Sequence, residues 1–117
     1  MTPKNDVSIA AIQKAVRHFR DARDWRQFHS PKNLSMSIAI EAAELMEHFQ
    51  WLTTEEAAAL VQEDTRARQA ITEELADVLI YCLSLADILA CDVAEIIFDK
   101  LDKNDRKYPK EEYRGRF

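Results

Sequence analysis

Two pairs of acids carry the chemistry this sequence could do. In EAAELMEHFQW (residues 41–51) Glu44 follows Glu41 by three residues, and in EELADVLIY (residues 73–81) Asp77 follows Glu74 by three. Residues three apart on a helix are neighbours, about 5–6 Å apart at Cβ. Two such patches facing each other would bring four like charges to a partly dry site. Their pKa values would rise unless a cation compensated. Hard divalent cations prefer oxygen donors, and Mg²⁺ takes a few carboxylates together with water and substrate phosphates. The convergent reading is a magnesium site. One such pair alone is common on solvated helices. The reading rests on two pairs, each bordered by apolar residues. A di-iron bundle would need Glu-x-x-His on two helices. Here His48 lies four residues after Glu44, and the second acidic segment has no histidine.

The elements that must position these acids are helices. At roughly 100° per residue, Glu41 falls on the edge of the stripe formed by Leu34, Ile38, Leu45, Phe49 and Leu52. Glu44 lies further round, beside His48 and Trp51, and Glu47 further toward solvent. In the second segment Glu74 borders Ile71, Val78, Leu85 and Leu89. Asp77 there takes the angular place of Glu44, and Tyr81 that of His48. The apolar spacing predicts helices over residues 7–21 (capped by Asn5 or Asp6), 34–52 (capped by Asn33), 54–62, 65–90 and 93–106 (capped by Asp92). Thr53 and Glu56 form a T-x-x-E capping box for the third. Pro109 should end helical structure and leave a short tail. No linker divides the chain, so the expectation is one all-α domain over residues 1–117, a bundle of four to five helices.

Composition narrows the function. The only glycine is Gly115, which excludes glycine-rich phosphate loops of the Walker A or Rossmann type. Any phosphate must be held by side chains, metal ions or helix ends. The net charge of −5 argues against a surface for a nucleic-acid polymer. Neither an apolar run of about 18 residues nor a signal-peptide pattern occurs, so no membrane span is expected and the cytoplasm is the expected compartment. Cys82 and Cys91 read as free thiols, buried or half-buried, in a reducing environment.

Two further segments have both a structural and a functional reading. RDWRQFH (residues 23–29) places Trp25, Phe28 and His29 in a loop, where they could plug the end of the bundle or stack on a nucleobase. Trp51 would stand on the side of Glu44. FDKLDKNDRKYP (residues 98–109) sets Lys100, Asn104 and Lys107 on one helical face, next to Tyr108. Cations there satisfy the helix dipole or clamp a polyphosphate.

The four runs RDWRQFHSPKN, EAAELMEHFQW, EELADVLIY and KNDRKYP, in this order over about residues 19–109, resemble the MazG-like all-α nucleoside triphosphate pyrophosphohydrolases, in particular their dCTP pyrophosphatase branch. The resemblance implies that Glu41, Glu44, Glu74 and Asp77 bind Mg²⁺. It also implies that Trp25, Phe28, His29, Trp51, Tyr81, Lys100, Asn104 and Tyr108 contact a nucleotide. The first glutamate of the family's E-E-x-x-E falls at Ile40, as in the dCTP branch. A helix-1 histidine of that branch's pocket falls at Val16. The implied reaction is hydrolysis of a (deoxy)nucleoside triphosphate to monophosphate and pyrophosphate, with Glu44, then Glu47, as candidates for the general base. The family's small members form dimers or tetramers, often with shared sites. The competing class is a helical module that binds a nucleotide or a partner without turnover.

Overall fold

The computed structural model describes residues 6–116, which form six α-helices and one 3₁₀ turn, with no strand among them. The helices are α1 (Ile9–Asp21), α2 (Pro31–Glu47), α3 (Thr54–Glu63), α4 (Thr65–Ile88), α5 (Val93–Lys107) and α6 (Lys110–Tyr113); the 3₁₀ turn is Arg26–Phe28. The all-α expectation holds. The count of four to five is corrected to six by α6, a single turn that begins after Pro109, where a tail was expected. Proline cannot continue α5, but its fixed φ suits the start of another turn.

The boundaries follow capping chemistry. Ser8 caps α1, its Oγ accepting from the Ala11 N–H at 3.1 Å; Asn5 lies outside the described residues. Helix α2 begins three residues before its expected start. Ser30 is extended and its Oγ accepts from the Asn33 N–H at 3.1 Å, so Ser30 and not Asn33 is the cap, with Pro31 in the first turn. Asn33 instead donates through Nδ2 to the Phe28 carbonyl at 3.1 Å. At its other end α2 stops at Glu47, not residue 52, and residues 48–52 turn back through bonds such as Leu52 N–H to Phe49 O. The cause is the next cap. Thr53 must be extended to close its reciprocal box with Glu56, so the chain has to leave the helical path first.

Helix α4, 24 residues long, is the spine. Helix α2 packs on it most extensively, α1 and α3 also lie against it, and α5 packs principally on α1. Leu34, Ile71 and Ala86 are buried, and so are two polar residues, Arg20 and Ser84. Helix α4 ends in a Schellman motif: Cys91 N–H bonds to Ala86 O and Ala90 N–H to Asp87 O, with Ala90 in the left-handed region at φ 54. Cys91 is half-buried, as expected, but Cys82 is exposed. It lies in an apolar groove of about 520 Å³ between α1, α4 and α5, lined by Ile9, Ile12, Leu79, Leu83, Ile96 and Ile97 among others. None of the described helices is long and apolar enough to cross a membrane.

Candidate metal centre and adjoining cavity

The packing of α2 on α4 brings Glu41, Glu44 and Glu74 together. One carboxylate oxygen from each lies within 4.8 Å of those of the other two. Glu41 and Glu74 are half-buried while Glu44 is exposed, as their places on the two stripes require. Oε2 of Glu41 and Oε2 of Glu74 are buried without a hydrogen-bond partner. Burial first, and then the carboxylates of Glu44, Glu74 and Asp77, push the Glu41 pKa from 4.5 up to about 7. Asp77 lies outside the three-acid group but close enough for its charge to act on Glu41. Glu47, the last residue of α2, is exposed and stands apart from this group.

A donor set made only of carboxylate oxygens, two of them buried and unsatisfied, fits a hard divalent cation. A neutral hydrogen-bond network would have supplied donors to those oxygens, and the described residues supply none.

Asp77 also connects the acids to a cavity of about 220 Å³ between α1, α4 and the 3₁₀ loop. Its walls are Val16, Phe19 and Arg20 of α1, Trp25 and His29 of the loop, and Asp77, Ile80, Tyr81 and Ser84 of α4. Trp25 meets Phe19 edge-on at 5.8 Å between ring centroids, and His29 faces Tyr81 at 6.4 Å. The Nδ1 of His29 is buried without a partner. Burial, and secondarily the Arg20 charge, holds the His29 pKa below its usual value, so the ring favours its neutral form, with one donor and one acceptor.

Of the expected nucleotide contacts, Trp25, His29 and Tyr81 line this cavity, and so does Val16. Phe28, Trp51, Lys100, Asn104 and Tyr108 do not. Phe28 is exposed on the 3₁₀ turn, and Trp51, expected near the end of α2, sits beyond it on the turn and is 86% exposed. Lys100 and Asn104 stand on α5. Sequence reasoning missed Phe19, Arg20, Ile80 and Ser84 as cavity residues. Phe19 belongs to the apolar spacing of α1, but nothing local along the chain marks Arg20, since the partner that buries it lies 67 residues away on α4.

A model of the MazG-like family matches residues 36–116, a span that holds all four acids. The chain belongs to the MazG-like family. Curated relatives include dCTP pyrophosphatase 1 of Bos taurus, 37% identical over 95% of this chain, and that of Homo sapiens, 41% identical over 87%. This MazG-like chain spans only 65% and 59% of those proteins' lengths. Among solved structures, a pyrophosphatase from Archaeoglobus fulgidus superimposes with a TM-score of 0.79 at 39% identity, covering 94% of this chain and 100% of that one.

Proposed function

We propose that this MazG-like domain, residues 1–117, hydrolyses (deoxy)nucleoside triphosphates, dCTP or related dNTPs, to the monophosphate and pyrophosphate with Mg²⁺, trimming the nucleotide pool of the cytoplasm. The observation that carries the reading is the cluster of Glu41, Glu44 and Glu74 with Asp77 nearby, Asp77 itself being a wall of the aromatic cavity. A group bound in the cavity would hold its attached phosphates near the carboxylates. The relatives named dCTP pyrophosphatase support the substrate class.

In this reading Glu41, Glu44, Glu74 and Asp77 hold Mg²⁺. When bound, the ion neutralises charge on the phosphates and lowers the pKa of a water. Glu44, the exposed member of the cluster, accepts the proton of the water that attacks the α-phosphorus; Glu47 is the second candidate. The α–β phosphoanhydride bond breaks and pyrophosphate leaves. Trp25 and Tyr81 stack on the base, and the neutral His29 hydrogen-bonds its edge.

The same reading makes the protein a homodimer or homotetramer. The accessible surface is 9560 Å², against roughly 6,600 Å² expected for a folded monomer of this mass. Leu79, Ile96 and Ile97 line the apolar groove and are exposed, and Phe98 and Leu101 elsewhere on α5 are 68% and 55% exposed. Lys100, Asn104, Tyr108, Phe28 and Trp51 are assigned to contacts completed in that assembly.

The test is a panel assay with Mg²⁺ and each common dNTP and NTP, products resolved by chromatography. Monophosphate and pyrophosphate without a diphosphate intermediate are expected, with dCTP among the good substrates. No product from any nucleotide would overturn the reading in favour of a binding module.

A further inference from the structure

We propose that Asp87 is a positioning residue for the aromatic cavity, acting through Arg20. This rests on the reading of the cavity as the base site. Asp87 does not line the cavity. It sits on α4 one turn beyond Ser84, its side chain 10% exposed, and arginines from two elements converge on it. Its Oδ1 accepts from Arg17 Nε at 2.7 Å and its Oδ2 from Arg20 Nη1 at 2.6 Å, with Arg26 Nη1 of the 3₁₀ turn at 3.9 Å. Arg20 is 2% exposed and a wall of the cavity; its Nε donates to Asp21 Oδ1 at 2.8 Å.

Arg20 also works through its backbone. Its carbonyl accepts the N–H groups of Trp25 at 3.1 Å and Arg23 at 3.2 Å. The first of these bonds closes the end of α1 across Asp24, held at φ 52, and sets where Trp25 leaves the helix. One residue therefore ties α1 to α4 by its side chain and places the aromatic rim by its main chain. A buried ion pair is weak evidence for stability, because apolar residues of similar volume often replace it without loss. Its planar fork does restrict direction. The consequence is that losing the pair should loosen Trp25 and His29 more than it weakens the fold.

The experiment compares wild type with Asp87→Asn, Asp87→Glu and the double variant Arg20→Met/Asp87→Leu. The double variant leaves no buried charge unpaired between those two residues, so it keeps the test decisive if Asp87→Asn does not fold. Steady-state kinetics with dCTP and Mg²⁺ should show KM raised about tenfold with kcat within about twofold. Asp87→Glu should recover most of the loss. Acrylamide quenching, measured with Trp51→Phe in every protein so that emission reports Trp25 alone, should increase in Asp87→Asn and the double variant. Unchanged quenching in a cooperatively melting variant, or a fall in kcat with KM held, would overturn the proposal. If wild type turns over no nucleotide, the proposed function fails, yet quenching still decides whether Asp87 positions Trp25.

Discussion

Oε2 of Glu41 on α2 and Oε2 of Glu74 on α4 are both buried, both without a hydrogen-bond partner, and belong to one cluster of carboxylates. A buried acceptor left unsatisfied costs about 1–3 kcal/mol, so this pair calls for a cation. Glu74→Gln should abolish turnover while preserving the helical CD signal. The metal-free variant should melt no lower than wild type, because a like charge has gone, and Mg²⁺ should no longer raise its melting temperature. Near wild-type activity would sink the assignment.

The Glu41 pKa, raised from 4.5 to about 7, makes stability depend on pH. Between those values the folded state binds more protons than the unfolded one. The stabilising contribution is complete below 4.5 and is lost as pH rises through about 7. His29, pushed below its usual value by burial and then by the Arg20 charge, contributes the opposite slope on the acid side of 6.5. The effect is therefore read as a difference: with chelator present, the urea midpoint of wild type should fall relative to that of Glu41→Gln as pH rises through the window. Mg²⁺ should reverse the trend on the alkaline side, where its ligands are deprotonated. A difference that is flat with pH would contradict the shift.

Trp25 forms part of the cavity wall and Trp51 does not. Stacking of a base on an aromatic ring contributes about 1–3 kcal/mol, so Trp25→Ala should raise KM about tenfold. The Mg²⁺-dependent gain in melting temperature should stay intact. An unchanged KM would remove the base from this cavity.

Leu79 and Ile97, 53% and 49% exposed, face the apolar groove between α4 and α5. A glutamate at position 79 would be desolvated in any interface that covers the groove. Leu79→Glu should reduce the mass measured by light scattering toward that of one chain, with the α-helical signal retained. A wild-type mass equal to one chain at every concentration would refute the assembly.

Ala90 occupies the left-handed C′ position of α4 at φ 54, where glycine carries no Cβ penalty. Ala90→Gly should stabilise the fold by about 1 kcal/mol, the left-handed cost for a residue with Cβ outweighing the added entropy of the unfolded chain. Chemical denaturation measures it, and a lower midpoint at the same slope would refute it.

Much of this protein was legible along the chain because it depends on local chemistry. The period of apolar residues specified helices, the Thr53–Glu56 box started α3, Asp92 capped α5, and the i, i+3 spacing put Glu41 with Glu44 and Glu74 with Asp77 on the edges of core stripes. Caps were misplaced where two polar residues competed: Ser30 displaced Asn33 because Pro31 favours the first helical turn. What only tertiary structure decided was which faces meet. The convergence of Glu41, Glu44 and Glu74 needed α2 against α4. The burial of Arg20 needed Asp87, 67 residues away. The separation of Trp51, Lys100 and Asn104 from the cavity followed from a turn after Glu47 and from the packing of α5 principally on α1. Periodicity tells which side of a helix is apolar but not which neighbour covers it, since hydrophobic burial has no direction.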